Sequence, residues 1–492
     1  MIQLFTLHQL ETVAVIGIHA IPVNVQIEIV KTMPSFVIVG MANRAISESK
    51  ERIRAVFNSL NIPFPNGKII VNLCPADILK EGSHYDLPII IGLLQASNGI
   101  QYTYDNTIFF GELSLNGEII TTKDILSAAL YCYNNEKNLI IHENYYHEMT
   151  QIFQEKIHLI KVANNLWDII HNQFKTVHRI QEQHEEIEEN IGFSHIIGNG
   201  IAKRAAALSL IGRHNILFFG PPGCGKSLIS KAMGEFNLPL HHQDKLIVSS
   251  IYGKSGLLEN NLIHTEPFRN PHHSISYAGL LGGGNSFKPG EISLAHKGIL
   301  FLDELTEFAP QILDMLRQSM EDKKIIIGRA QYNITMPCDF LLVGAMNPCK
   351  CGYYGTGKCI CNPASVEKYQ KKISGPLLDR MDMKIFMGGN DGRQDNIDYY
   401  NFVIQGRNFN NRGIPNNNIK NSDIPLLNIE SDVLNTLEEF CNKNSISFRK
   451  KLKILGLART IADSELSNKV IMNHLLEAIF FSEKMGFNNK IH

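Results

Sequence analysis

A glycine-rich run lies between a strand-like and a helix-like segment of the sequence. Residues 215–219 are apolar, as in a buried strand, and residues 228–233 have helical character. This context predicts a phosphate-binding loop, in which backbone N–H groups and a helix N-terminus face phosphate. We expect Lys226 to reach the β- and γ-phosphates of ATP and Ser227 to ligate Mg²⁺, with a plain glycine turn as the alternative. The predicted nucleotide-binding residues are Gly220, Pro221, Pro222, Gly223, Cys224, Gly225, Lys226 and Ser227.

Two further strand-like runs end in polar residues that suit ATP hydrolysis. Residues 298–302 are followed directly by Asp303 and Glu304. Residues 340–345 are followed by Met346 and then Asn347. An α/β sheet presents its ligand groups at the carboxyl ends of its strands. We expect Asp303 to bind Mg²⁺, Glu304 to polarise the attacking water, and Asn347 to orient that water. An asparagine that only caps a loop is the alternative for Asn347.

Four of the nine cysteines cluster shortly after Asn347. Four thiolates can bind Zn²⁺ tetrahedrally, and in a reducing compartment zinc binding is favoured over disulfides. The one-residue gap within each pair is tighter than the usual gap of two, so free thiols are the alternative. The predicted zinc ligands are Cys349, Cys351, Cys359 and Cys361.

The segments around these motifs predict an α/β multidomain protein. Residues 1–170 alternate apolar, strand-like runs at 13–16, 36–39 and 69–73 with a helical pattern over 45–59. Such alternation is typical of an α/β domain. This first domain precedes the nucleotide motifs.

The rest of the chain divides by composition. Residues 171–192 are acidic and poor in apolar side chains, which predicts a solvated linker, with a short helix as the alternative. Residues 193–387 predict an α/β domain that carries the nucleotide motifs and the Cys-rich loop 349–361. Residues 388–492 begin as a connection rich in Asn, Gly and Asp and continue as helices.

Bulk composition excludes several classes of protein. The chain has 492 residues, 44% of them hydrophobic and 19% charged, which fits a globular protein of about three domains. The sequence has no apolar run of the ~20 residues that a membrane span needs, and its start does not resemble a signal peptide. We therefore expect a cytoplasmic protein without a membrane partner. The net charge of −1 neither supports nor excludes nucleic-acid binding.

Longer segments resemble the magnesium-chelatase-like AAA+ family, including its bacterial competence-associated members. The resemblance extends from the N-terminal third to the C-terminal helices and includes the two nucleotide motifs. The matching segments are 34–40, 48–54, 71–77, 266–273 (EPFRNPHH), 289–296 (PGEISLAH), 298–305 (GILFLDEL), 345–349, 374–382 (SGPLLDRMD) and 458–463 (ARTIAD).

This resemblance implies a homohexameric ring with ATP bound between subunits. Arg380 matches the family's arginine finger, which reaches the γ-phosphate bound by a neighbouring subunit. Arg459 matches a sensor arginine on the C-terminal helical lid, acting on the nucleotide of its own subunit. A planar guanidinium suits the charge that spreads over the transferred phosphoryl group. For a lone arginine, a surface salt bridge is the alternative.

The resemblance also implies that the N-terminal domain has the fold of the Lon protease domain (S5-type). A Lon-type protease needs a serine nucleophile beside a lysine base. The position that matches this serine is His84, and Ser83 is one residue away. We therefore expect a non-proteolytic domain.

The competence-associated members of the family are ATP-driven helicases that promote branch migration. The resemblance thus predicts a motor that acts on single-stranded or branched DNA in recombination or natural transformation. Two alternatives stay open: the ATPase subunit of a magnesium chelatase, and an AAA+ chaperone that remodels proteins.

Overall fold

The computed structural model describes residues 8–97, 100, 104–175, 192–258, 262–284, 287–328, 333–388 and 397–482. These residues form a mixed α/β structure with two main sheets, of seven and five strands, as the sequence predicted. No helix within these ranges is long and apolar enough to cross a membrane. The linker expected at 171–192 lies mostly outside the described residues, because 176–191 are not among them.

The first part of the chain alternates strands and helices. Its elements are β1 (His8–Ile16), β2 (His19–Val30), β3 (Ser35–Val39), α1 (Arg44–Ser59), β4 (Lys68–Cys74), α2 (Asp86–Ala96), β5 (Thr107–Ile108), β6 (Glu112–Leu113), β7 (Ile119–Ile120), α3 (Ile125–Asn135), β8 (Asn138–Ile141), α4 (Tyr146–Phe153), β9 (Ile160–Val162) and α5 (Leu166–Ile170). The seven-stranded sheet has the order β3-β4-β2-β1-β5-β8-β9.

The three strands and the helix predicted in this part are confirmed as β1, β3, β4 and α1. The Asn43 side chain caps α1 by accepting a hydrogen bond from the Ile46 amide. Such a cap satisfies one of the free N–H groups at a helix start. The apolar stripe of α1 is buried against the sheet, as predicted, through Ile46, Ile53, Val56 and Phe57.

The central part of the chain contains the five-stranded sheet. Its elements are α6 (Gly200–Gly212), β10 (Ile216–Phe219), α7 (Lys226–Ala232), α8 (His242–Ser255), β11 (Phe268–Arg269), α9 (Tyr277–Leu281), β12 (Gly282–Gly283), β13 (Lys288–Pro289), α10 (Glu291–Leu294), β14 (Ile299–Leu302), α11 (Pro310–Asp322), β15 (Lys324–Gly328), β16 (Asn333–Pro337), β17 (Leu341–Met346), α12 (Pro363–Gln370), α13 (Gly375–Leu378) and β18 (Met383–Phe386). All five strands are parallel, in the order β11-β14-β17-β10-β18.

The last part is helical, with α14 (Tyr399–Phe409), α15 (Ser431–Lys443), α16 (Phe448–Ser464) and α17 (Met472–Ser482). Its apolar side chains share one core with α6 and one face of the five-stranded sheet. Arg204 on α6 also pairs with Glu477 on α17, at 2.5 Å between Nε and Oε1. These helices are therefore packed directly on the nucleotide-binding domain.

The N-terminal part contacts the central part through both apolar and charged side chains. Ile18, in the turn between β1 and β2, is buried in the same cluster as Ile334 and Met336 of the β15–β16 hairpin. Asp124, just before α3, pairs with Lys254 on α8 at 2.9 Å. The β15–β16 hairpin is therefore packed against the turn that joins β1 and β2.

Candidate nucleotide-binding site

The glycine-rich loop connects the buried strand β10 to helix α7. Gly223 and Gly225 have φ angles of 79° and 95°, a left-handed conformation that glycine adopts without steric cost. The Lys226 ammonium lies inside the loop and donates to the Gly220 and Pro221 carbonyls at 2.8 and 2.9 Å. Ser227 follows at the start of the helix and is half-buried. This is the local geometry that a phosphate-binding loop requires.

The predicted polar residues lie at the same edge of the sheet as this loop. Strands β14, β17 and β10 are neighbours and parallel, so their carboxyl ends meet. Asn347 accepts a hydrogen bond from the Lys226 ammonium at 3.2 Å. The Asp303 carboxylate accepts one from the Glu304 amide at 2.9 Å. The strand order thus brings the residues predicted from three separate motifs to one edge.

Glu304 has a left-handed backbone, with φ of 52°, and a side chain that is 60% exposed. Its carboxylate lies 3.3 Å from the Nδ1 atom of His273. The His273 ring lies against the His272 ring, with centroids 4.1 Å apart and the planes tilted by 34°. His273 belongs to the EPFRNPHH segment, and the contact between it and Glu304 was not anticipated from the sequence.

Arg380 lies at the opposite edge of the sheet from Lys226. It comes three residues before β18, which runs parallel to β10 with Met383 beside Ile216. The Asn215 side chain, at the start of β10, donates to the Arg380 carbonyl at 3.2 Å. A four-residue strand separates the two edges by about 13 Å. Arg380 therefore cannot reach a phosphate bound at the loop of its own subunit.

Glu321, near the end of α11, holds two arginines at that opposite edge. It forms an ion pair with Arg380 and another with Arg449 at 2.7 Å. The hydrogen bond from Arg380, and then the one from Arg449, lower the pKa of Glu321 to about 2. All three side chains line a cleft of about 340 Å³, together with Lys450 and Lys453. The cleft is rich in cations, and sequence reasoning missed Arg449.

Arg459, the predicted sensor arginine, is enclosed within the C-terminal part. Arg459 is 1% exposed, and its guanidinium donates to Asp463 and to the Leu427 and Asn468 carbonyls within the C-terminal part. Its four-residue spacing from Asp463 places both on one face of α16, a signal that could have predicted this pairing. Arg459 is thus held by partners within the C-terminal part, whereas Arg449, on the first turn of α16, faces the cleft.

The four clustered cysteines converge to one point. The Sγ atoms of Cys349 and Cys359 are 3.9 Å apart, those of Cys351 and Cys359 are 3.7 Å apart, and those of Cys349 and Cys351 are 3.3 Å apart. With Cys361 included, all four sulfurs lie within 4.8 Å of one another. Zn–S bonds of about 2.3 Å in a tetrahedral site separate the sulfurs by roughly 3.8 Å. The cluster therefore has the dimensions of a zinc site.

Comparison with known proteins agrees with this architecture. Three family models match: "Magnesium chelatase, subunit ChlI" over residues 192–394, "Subunit ChlI of Mg-chelatase" over 25–144, and "Magnesium chelatase, subunit ChlI C-terminal" over 401–482. Competence protein ComM of Haemophilus influenzae is 32% identical over 504 residues, covering 97% of this chain and 98% of ComM. The chain belongs to the ComM/YifB-like, magnesium-chelatase-like family.

Two further relatives match different shares of the chain. The YifB protein of Salmonella typhimurium is 30% identical and covers 96% of each chain. The magnesium-chelatase 38 kDa subunit of Rhodobacter capsulatus is 24% identical and covers 58% of this chain and 84% of its own length. Membership of this family indicates an AAA+-type ATPase that uses ATP and Mg²⁺.

Proposed function

We propose that this protein is an ATP-driven motor that works as a hexameric ring on single-stranded or branched DNA. The proposal of a ring rests on the positions of two residues in the sheet. Lys226 and Arg380 lie at opposite edges of one parallel sheet, although both belong to segments that resemble ATPase motifs. One complete site then needs the loop of one subunit and the arginine of the next, and such head-to-tail contacts close into rings.

Within one subunit, the carboxyl edge of the sheet supplies the hydrolytic groups. Lys226 binds the β- and γ-phosphates, and Ser227 and Asp303 hold Mg²⁺. Glu304 polarises the water and Asn347 orients it, which requires Glu304 to leave the contact with His273. Phosphoryl transfer depends on such positioning and on charge stabilisation more than on covalent chemistry. The contact between Lys226 and Asn347 supports this assignment.

The adjacent subunit supplies Arg380 and, in our proposal, Arg449. The Arg380 side chain is 7% exposed, yet its Nε atom has no hydrogen-bond partner among the described residues. A buried donor without a partner costs about 1–3 kcal/mol, which an incoming phosphate oxygen would recover. Arg449 is 56% exposed and shares Glu321 with Arg380, so both guanidiniums can turn toward the same anion.

The remaining domains take supporting roles in this proposal. Residues 1–170 form a Lon-like domain without protease activity, 193–387 the AAA+ core, and 388–492 a connection followed by the helical lid. His84 is buried, with its ring stacked on Phe110 at 4.1 Å, and burial lowers its pKa to about 3. The Lys80 ammonium donates to the Pro75 carbonyl, and the Ser83 hydroxyl donates to Glu112. These separate partners argue against a serine–lysine pair.

DNA is the proposed substrate because the resemblance spans the whole motor. ComM is named as a competence protein and aligns over 97% of this chain, and the family's competence-associated helicases promote branch migration. The chelatase subunit covers a smaller part of the chain. We further propose that the four cysteines bind Zn²⁺ and that the protein acts in the cytoplasm, where thiolate ligands stay reduced.

An ATPase assay with different effectors tests this proposal. We expect forked or single-stranded DNA to raise the hydrolysis rate of the purified protein and a labelled four-way junction to be resolved into duplexes only with ATP. The Glu304→Gln variant is the control for contaminating activity. Stimulation by unfolded protein alone would indicate a remodelling chaperone. Stimulation only by porphyrin with partner chelatase subunits would indicate a chelatase role, and either result would refute the DNA motor.

A further inference from the structure

The loop that carries the four cysteines lacks a core of its own. Residues 350–362 contain turns but no helix or strand, and the side chain of Ile360 is 89% exposed. Ordering a backbone costs about 1–2 kcal/mol per residue, and this loop buries little apolar surface to offset that cost. A metal bound by the four sulfurs stabilises such a segment, since binding energy of this kind becomes folding energy.

The same loop touches the nucleotide site directly. A Cβ atom added to Gly352 would lie 2.8 Å from Cδ of Pro222, in the phosphate-binding loop, and 3.9 Å from Cγ of Asn347. The two backbones therefore pack without space between them. Cys349 follows Asn347 by two positions and is fully buried. Asn347 in turn contacts the Lys226 ammonium.

Hydrogen bonds connect Cys349 and its neighbour Pro348 to other parts of the nucleotide-binding domain. Its Sγ accepts a hydrogen bond from the Tyr354 amide at 3.3 Å, and the Pro348 carbonyl accepts one from Gln370 at 3.0 Å. Next to Gln370, the Tyr369 hydroxyl is 2.6 Å from that of Thr306, two residues after Glu304. Cys349 is thus linked to Thr306 through Pro348 and residues 369–370, and to Asn347 along the chain.

We infer that the metal bound by Cys349, Cys351, Cys359 and Cys361 braces the nucleotide site and sets its rate of ATP hydrolysis. The metal does not touch the nucleotide. It fixes Gly352 against Pro222 and Asn347 beside Lys226, so that the amide keeps the position required for hydrolysis. This inference rests on the proposed ATPase function, and it makes turnover dependent on metal occupancy.

The test compares matched cysteine variants of the full-length protein. Cys359→Ser removes a ligand, and Cys441→Ala changes a buried cysteine in the C-terminal helices, far from the loop in sequence. Four quantities are to be compared. They are the zinc content by elemental analysis, the Kd of a non-hydrolysable ATP analogue, the steady-state turnover of ATP, and the hydrogen exchange of residues 220–226 and 345–355. Zinc chelation and re-addition on the wild-type protein repeat the test without a mutation.

We expect about one zinc per chain in the wild type and in Cys441→Ala, and little in Cys359→Ser. Loss of metal should lower turnover about 10–100-fold, because a 1 Å displacement of a positioning group can cost 10²-fold. The Kd should change much less, and both exchange segments should lose protection. Turnover that is unchanged after zinc removal would overturn the brace. Absence of zinc with four titratable thiols would overturn the metal site, whereas a zinc-loaded but inactive wild type would refute the ATPase proposal instead.

Discussion

Gly352→Ala tests whether the cysteine loop and the phosphate-binding loop are mechanically coupled. Gly352 has a φ of +87°, and a Cβ atom at this position would lie 2.8 Å from Cδ of Pro222. A left-handed backbone costs a non-glycine residue about 1–2 kcal/mol. Overpacking adds about 1–3 kcal/mol, and the proline ring cannot rotate away. The total of roughly 2–5 kcal/mol should displace one loop from the other.

Two other glycines of the loop provide matched controls. Gly355 has a φ of +84°, and the nearest atom to an added Cβ is 4.0 Å away, so Gly355→Ala carries the backbone cost without the clash. Gly357 has no such φ and open space around it, so Gly357→Ala carries neither cost. All three variants change one hydrogen to a methyl group within the same loop.

Steady-state ATPase and thermal unfolding, measured on all three variants, separate the two costs. We expect Gly352→Ala to lose turnover by about 10-fold or more, because Asn347 and the phosphate-binding loop shift. Gly355→Ala should lose stability only, and Gly357→Ala should match the wild type. Equal turnover of Gly352→Ala and Gly355→Ala would refute the proposed coupling.

Three further predictions concern single residues. Glu304→Gln should bind ATP normally but lose turnover at least ~100-fold, since only water activation is removed; an unchanged single-turnover rate would exclude Glu304 from that role. Arg459→Met should cost about 1–3 kcal/mol of unfolding free energy, because the Leu427 and Asn468 carbonyls lose a donor while Asp463 keeps its pair with Arg412, without changing turnover of the folded ring. A specific catalytic loss at unchanged stability would support a sensor role. Burial lowers the pKa of His214 to about 4, below its unfolded value, so the unfolded chain binds more protons between pH 4 and 6.5. His214 alone should therefore lower the free energy of unfolding by about 2 kcal/mol from pH 7 to 5. In denaturant unfolding at several pH values, His214→Gln should show a smaller fall over this range.

Local sequence was enough to place the predicted nucleotide-site residues at the ends of buried strands. An apolar run of four to six residues followed by glycine, acid or amide side chains predicts a buried strand with ligand groups at its end. The three strands concerned are fully buried, and each predicted polar residue follows one of them. The order of the strands, which brings Asn347 next to Lys226, depends on tertiary pairing that local sequence does not specify.

Arginine roles were harder to predict, because they depend on burial. Arg449 and Arg459 lie on the same helix, α16. Arg449 lies in a basic run, whereas Arg459 lies among apolar residues, four positions before Asp463. The spacing to Asp463 could predict the partner of Arg459, but the packing of the helix decides that Arg459 is buried while Arg449 faces a cleft. The role of Glu321 is equally non-local, since Arg380 and Arg449 reach it from distant parts of the chain.

The most direct test of the account is to mix two inactive variants. Asp303→Ala should disable the proposed Mg²⁺ site of its own subunit, and Arg380→Ala only the arginine proposed to act on the neighbouring subunit. In a randomly mixed ring about one interface in four combines an intact Mg²⁺ site with an intact Arg380. Loss of an arginine finger lowers turnover by about 10³-fold or more, so activity restored at those interfaces should stand far above either variant alone. If native mass spectrometry shows mixed hexamers that stay inactive, ATP is not hydrolysed between subunits with Arg380 acting on the neighbouring site.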